Sequence, residues 1–545
     1  MKQSPPRLWS ALAALLVSFP SFAQAPAQPA APAPAPAPAP APVAAPAPVP
    51  APAAAPAAAV APAPPPTPAE VDRQRGVQLS TLKLLREKNV ISEQEYQAAL
   101  KDLGELGVRA KDANTFVVGK VATTVYGFVQ VDFLYNSTQS FGPDFSANLQ
   151  VARPGTYAGE HGRLVFTARD SRLGFRLSAP VPPGYTATAV FEGDFLGSEP
   201  GIFQSTGGTP PTPGSTNSEG GFFGNPTFRI RHAYLKAETP WVDVTVGQTW
   251  NLLGWQPVFI PAVVQWPGLI GELYGRSTQL KLSKTFKGDL FTVDAAVAAL
   301  RPSQRDSGIP NGEAGVRLSL PRWSGVHTAY LTGTSALPLT VALTGDVRAF
   351  RVPELSATPS ATSAATGGGV AVDAFIPIIP GTLANRGNSM ALTGEFARGA
   401  GLGDQYTAFS SGITNPALPA DPLTMVSPAF TTRVDPGMVA YDSSGTLHVV
   451  QMQTFFASLE YYLPVLEGKI GVFGGYYQTD ILNVDDFTSS PAAMRRRAQL
   501  FEAGALFDPV PAVRLGADWG LIRDTYKDWV VAWNWSLLGS AFFFF

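Results

Sequence analysis

From Val121 to the last residue, apolar and polar side chains alternate with a period of two, in runs separated by turn-rich breaks. The stretches 186–195, 227–231 and 279–283 show it most cleanly. Strict alternation of this kind predicts strands with one apolar and one polar face. About sixteen such runs follow one another: 122–136, 163–179, 184–196, 226–238, 242–253, 275–286, 288–300, 311–320, 338–351, 368–377, 388–400, 446–463, 468–482, 496–508, 511–524 and 528–545. An even number is what a single-chain bacterial barrel needs. Short breaks at 180–183, 239–241, Lys287, 464–467 and Pro509–Val510 largely alternate with long ones at 137–162, 197–225, 254–274, 352–367, 401–445 and 483–495. Tight turns at one end and long loops at the other give that rhythm. Two breaks, 321–337 and 378–387, are longer than a tight turn needs, which leaves the count open by two. A two-sheet sandwich neither requires this rhythm nor runs some 425 residues as one unit.

Composition agrees with an all-β transmembrane antiparallel barrel. Charged residues are 15% and aromatics 11%, a mixture dilute in charge and rich in rings. The net charge of −2 gives no footprint for nucleic acid. With no cysteine, disulfides, thiolate metal sites and a lipid-modified N-terminal Cys are all excluded.

The first part of the chain has three different textures. Residues 1–23 read as a signal peptide: Lys2 and Arg7, then the apolar stretch Leu8 to Phe19, then Ser21-Phe22-Ala23 as a small-x-small cleavage site. That apolar stretch is too short to cross a hydrocarbon core of roughly 30 Å. Residues 24–68 are almost wholly Ala and Pro. Such a linker is disordered or polyproline-like, and at about 3.1 Å per residue it reaches roughly 140 Å. It either holds something at a distance in the periplasm or is a linker with no binding role. Residues 69–110 change to a helical period, with Val77, Leu84 and Leu85 on one side of a first helix. Ser92 and Glu95 form a capping box for a second, which carries Tyr96, Leu100 and Leu103. This hairpin, a possible coiled-coil extension, either self-associates or packs under the barrel of residues 115–545. The chain closes on Phe542 to Phe545. Four exposed Phe would aggregate in water, and a last strand ending in Phe resembles the signal read by the barrel-assembly machinery.

Four short pieces then carry a family resemblance. Arg169-Asp170-Ser171-Arg172-Leu173-Gly174-Phe175, Phe191-Glu192-Gly193-Asp194-Phe195, Arg229-Ile230-Arg231-His232-Ala233-Tyr234 and Val246-Gly247-Gln248-Thr249-Trp250 occur in order within predicted strands. Together they resemble the trimeric DcaP-like porins of the general bacterial porin superfamily. The resemblance implies sixteen strands, a homotrimer in a Gram-negative outer membrane, diffusion of small anionic or dicarboxylic solutes, and a short α-helical periplasmic extension. The long Ala/Pro tract departs from that pattern, and beyond residue 290 no motif belongs to that family alone.

Alternation sorts the wall residues. Leu173, Phe175 and Leu177 face lipid and turn Arg172 and Arg176 inward. Phe228, Ile230 and Tyr234 face out and turn Arg229 and Arg231 inward; Leu280 and Leu282 do the same for Lys281. A cation on the lipid face costs roughly 2–4 kcal/mol at the midplane, which favours this assignment. Glu192 and Asp194 point inward between the cationic strands, and Asp346, Arg348, Glu395, Glu502, Arg514 and Asp518 sort inward elsewhere. Either these charges set up a transverse field across a constriction, or neighbours merely pair and fill the wall.

The break at 254–274 is uncharged from Gly254 to Gly271 yet carries Trp255, Phe259, Ile260 and Trp266, with Glu272 and Tyr274 closing it. A loop that apolar should not lie in water. It either folds into the barrel as a constriction or covers a trimer contact. The four histidines, His161, His232, His327 and His448, show neither metal-ligand spacing nor a hydrolase arrangement. His232 falls on the outward parity of its strand. No catalyst, metal or cofactor is expected.

The expected function is passive diffusion of small hydrophilic, anionic solutes through an outer-membrane porin, with the N-terminal extension in the periplasm. Its partners would be the bilayer, lipopolysaccharide, the assembly machinery and two further copies. The alternatives are an envelope tether, or an assembly component that docks through the hairpin.

Overall fold

The computed structural model describes residues 115–118, 121–140, 150–179, 181–197, 227–264, 270–329, 333–406, 411–428, 430 and 434–545. All of them belong to the second of the chain's two compact units, Leu82–Phe545. The expected leader (1–23), Ala/Pro tract (24–68) and helical extension (69–110) lie outside the described residues, as does Trp266.

Sixteen antiparallel strands close into a barrel. They are β1 (Val121–Asn136), β2 (Arg163–Thr167 continued by Arg172–Ala179), β3 (Thr186–Asp194), β4 (Arg229–Glu238), β5 (Asp243–Trp250), β6 (Arg276–Lys287), β7 (Thr292–Leu300) and β8 (Asn311–Ala329). Then come β9 (Gly333–Pro353), β10 (Thr362–Ile379), β11 (Met390–Ala400), β12 (Gln451–Tyr462), β13 (Ile470–Ile481), β14 (Arg495–Val510), β15 (Val513–Tyr526) and β16 (Val531–Phe544). Each strand pairs with its successor, and β1 closes on β16 from Phe128↔Phe544 to Asn136↔Ser536. Below that seam, the stub Thr115–Val118 pairs with Val121–Thr124 and continues the wall. Closure pairs each of the sixteen strands with a neighbour on both sides, the condition for crossing a bilayer with strands.

Two breaks that looked too long are resolved. The stretch 321–337 is mostly strand, because β8 and β9 pair through to Ala329↔Gly333 with an irregularity between Leu320 and Ser324. Pro321 sits in that bulge, where no ladder donor is needed, and Trp323 donates to the Pro377 carbonyl from it (2.8 Å). Of the stretch 378–387, Ile378 and Ile379 end β10 and the rest belongs to a true connection, residues 380–389, between β10 and β11. The count is therefore sixteen.

The polarity of the wall is that of a barrel in lipid. Val129, Val131, Leu235, Leu343, Trp533 and Phe543 are among the exposed apolar side chains. Interior positions carry Gln130, Asp132, Thr245, Thr344 and Ser458, all buried. In a soluble protein the order would be reversed. Tight turns gather at the end where the chain enters and leaves the barrel, here called the terminal end, and the long connections at the other. That asymmetry and the lipid-facing belt place the protein in the outer membrane, with the terminal end periplasmic.

Candidate functional site

Residues 251–264 and 270–275, the described parts of the connection between β5 and β6, do not extend outward. Leu253, Phe259, Ile260, Val264 and Leu273 are at most 1% exposed, and their contacts lie on the far wall. Phe259 packs with Ala342, Phe375 and Ala391 of β9, β10 and β11. A Cβ on Gly516 of β15 would come within 2.6 Å of Val264. The loop thus crosses the lumen and lies along β8–β15, as its uncharged sequence requires.

Acids of that wall hold its backbone. Glu313 of β8 accepts from Leu252 and Leu253 N–H (2.6 and 3.1 Å). Glu395 of β11 accepts from Leu273 N–H (2.9 Å), and Asp518 of β15 accepts from Val264. Thr344 takes Gly254 N–H (3.1 Å). His327 bridges Glu460 and the Ile260 carbonyl (2.9 Å each). Buried backbone donors must find acceptors, and these side chains supply them.

Several expected charges therefore meet the loop or each other. Glu395 and Asp518 are bonded to the loop, Glu502 is buried beside Asp518, and Asp346 is buried against Arg348. Arg348 also reaches Asp404 and the Gly401 carbonyl, fastening the following loop (401–450) to β9. Glu272 is fully buried, with Gln256 Nε2 at 3.4 Å. Burial, then the charge of Asp373, pushes its carboxyl well above the usual range. Among the expected loop residues, Phe259 is an anchor, and Trp255 lies under the Arg317 guanidinium at 5.2 Å. Tyr274 is buried with its hydroxyl 3.0 Å from Arg231.

The opposite wall, β2–β6, has a different chemistry. Arg229 makes a two-pronged contact to Asp194 (2.9 and 2.8 Å). Arg231 reaches Glu192 and Asp194 (2.9 Å each) and Tyr274. Arg172 stands 3.5 Å from Glu192. Arg176 lies over the Tyr126 ring at 5.6 Å, and Lys281 is half-buried on β6 between exposed Leu280 and Leu282.

One assignment is corrected. His232 is 7% exposed and lines a lumen cavity together with Tyr234, so both point inward. The register of β3 and β4 shifts between Glu192 and Gly193, where His232 faces Glu192 and Ile230 faces Gly193. Arg231 is the extra residue of a bulge, which flips the parity beyond it. Counting by twos from Ile230 could not see this.

Sequence reasoning missed Arg276. Counted from Leu280 and Leu282 it lies on the outward parity, yet its guanidinium rests over Trp250 (4.8 Å) and Tyr274 (5.1 Å). It pairs in register with Trp250 and has no carboxylate within ion-pair distance among the described residues. The signal for it was its place just after the loop's closing tyrosine.

Below the loop, toward the terminal end, lies a cavity of about 1050 Å³. Side chains of β1–β5 line one side, and the turn regions around Thr334, Arg386, Lys469 and Pro509 the other, so it is the inside of the barrel. Arg514 lines it while bonded to Asp508 (2.8 Å), which also holds Arg386 (3.0 Å).

No family model matches the chain, and neither does any curated protein. Solved structures do. The outer-membrane channel DcaP of Acinetobacter baumannii is 16% identical; the match covers 79% of this chain and 99% of that one, with a TM-score of 0.51. OmpT of Vibrio cholerae (12%, 79% and 100%, 0.42) and an anion-selective porin from Comamonas acidovorans (11%, 78% and 100%, 0.42) are more distant. With its closed sixteen-strand barrel and lipid-facing belt, the chain has the fold of a DcaP-like outer-membrane porin channel.

Proposed function

We propose that the barrel lets small hydrophilic anions, carboxylates among them, diffuse across the outer membrane. The observation that carries this reading is the charge balance of the β2–β6 wall. Arg172, Arg229 and Arg231 pair with Glu192 and Asp194, and Arg276 has no carboxylate within ion-pair distance among the described residues. The loop opposite brings no compensating charge, because its one acid, Glu272, is fully buried. A residual positive field in a narrow, low-dielectric passage raises the local concentration of anions. Arg176 and Lys281 add to it on neighbouring strands. Arginine suits the task, since its planar fork grips a carboxylate through two bonds. The homotrimer, and residues 24–110 as a periplasmic spacer and hairpin, belong to the same proposal.

The test is the zero-current potential of single channels under a KCl gradient. Wild type should be anion-selective, and Arg229→Gln combined with Arg276→Gln should move it toward cation selectivity. A potential that does not move with both substitutions overturns the assignment of the field to this wall.

A further inference from the structure

The terminal-end cavity is not lined as a plain aqueous passage would be. A porin interior is expected to be polar, and most of the inward face of the β1–β16 seam is, with Gln130, Asp132 and Ser540 buried there, yet at its terminal end that face is aromatic. Phe128 packs edge-to-face against Phe544, with ring centroids 5.8 Å apart. Both line the cavity, and Phe544 is partly open to it. Three rings on this side carry a cation. Arg172 lies over Phe128 at 4.9 Å, Arg514 over Phe544 at 5.6 Å, and Arg176 over Tyr126 at 5.6 Å.

The charges do not cancel. Arg172, Arg176, Arg386, Lys469 and Arg514 line the cavity, with Glu192 and Asp508 as its acidic side chains. Asp508 is shared between Arg386 and Arg514. Arg176 has no carboxylate within ion-pair distance among the described residues, and Lys469 bonds only weakly to the Pro509 carbonyl (3.3 Å). Apolar rings at a wet surface are unfavourable by about 25 cal/mol per Å², and simple sieving gives no reason for them. Apolar walls with a few convergent charges are instead the composition of a ligand pocket.

We propose that this cavity is a binding station for organic anions with an aromatic body. The ligand's ring would lie against the open side of Phe544, which the buried Phe128 backs, and its carboxylate at Arg176. The proposal rests on the anion-channel reading and narrows it: passage would be biased toward aromatic carboxylates by a stop on the periplasmic side of the loop.

The experiment compares benzoate, acetate and benzyl alcohol as blockers of single-channel current, alongside equilibrium binding of benzoate to the detergent-solubilised protein. Benzoate should half-block at a concentration at least about tenfold below acetate or benzyl alcohol, the effect of one added aromatic or cationic contact. Arg176→Gln and, separately, Phe544→Leu should each erase most of that advantage. Equal block by benzoate and acetate, or by benzoate and benzyl alcohol, overturns the station. So does a benzoate affinity that neither substitution changes. Failure of the channel itself reads differently: no conductance steps appear, while the binding measurement still reports on the cavity.

Discussion

The two halves of the barrel interior use the same inward parity for opposite purposes. On β2–β6 the inward charges are mostly arginines, tied across strands to Glu192 and Asp194 and left with a cationic excess. On β8–β15 many are acids, and Glu313, Glu395 and Asp518 spend their lone pairs on loop backbone. An inward charge is therefore not by itself a pore charge. What it meets decides whether it shapes the solute's path or the loop that narrows it.

Removing a keystone of the arginine wall should have the largest effect. Arg231→Ala takes one guanidinium from two buried carboxylates and from Tyr274. Breaking a buried pair from one side costs about 3–5 kcal/mol, so the melting temperature in detergent should fall clearly, and anion selectivity with it. A thermally neutral Arg231→Ala would mean that this network does not hold the wall.

On the other half, Glu313→Ala orphans two backbone donors of the loop, at about 1–3 kcal/mol each. The loop should leave the wall, seen as larger or noisier single-channel currents and faster proteolysis within 251–275. Glu313→Gln, which keeps an acceptor, should be milder. Identical behaviour of the two would remove the acceptor role.

Smaller still is the response to pH. The Glu272 carboxyl titrates higher in the folded protein than when unfolded, because burial and then the charge of Asp373 disfavour its anion. The neutral form suits the docked loop, so its contribution is whole below the ordinary carboxylate range. It is lost as pH rises toward the raised value. Current noise should therefore grow on alkalinisation and do so less in Glu272→Gln. Equal pH dependence in both proteins would place the titrating group elsewhere. At the bottom of the scale is the exposed Arg153–Asp528 contact joining two outer loops (2.7 Å). Asp528→Asn should change neither stability nor conductance measurably, and a clear effect would show that the outer loops are coupled to the pore.

The comparison also shows what a sequence can say about such a chain. Alternation gave the strands, and an uncharged run of Trp, Phe and Pro was enough to expect a loop kept out of water, either inside the barrel or on a trimer contact. The bulge at Arg231 escaped, because one extra residue reverses parity without changing composition, and His232 and Tyr234 went with it. The true length of β8 escaped because Pro321 and Trp323 interrupt the alternation while the ladder resumes beyond them. The fate of Glu395 and Asp518 could not be read at all. Parity turned them inward, but their partners are backbone atoms more than a hundred residues away in the chain.

The central claim is that the loop is docked on the β8–β15 wall while the channel conducts. The chain has no cysteine, so a single engineered pair is unambiguous. Val264→Cys with Gly516→Cys would join loop to wall, where the side chain of Val264 already lies within reach of a Cβ on Gly516. The account predicts that this bridge forms in the membrane-inserted protein and leaves single-channel conductance and selectivity as in wild type. A pair that does not oxidise, or one whose oxidation abolishes the current, would contradict it.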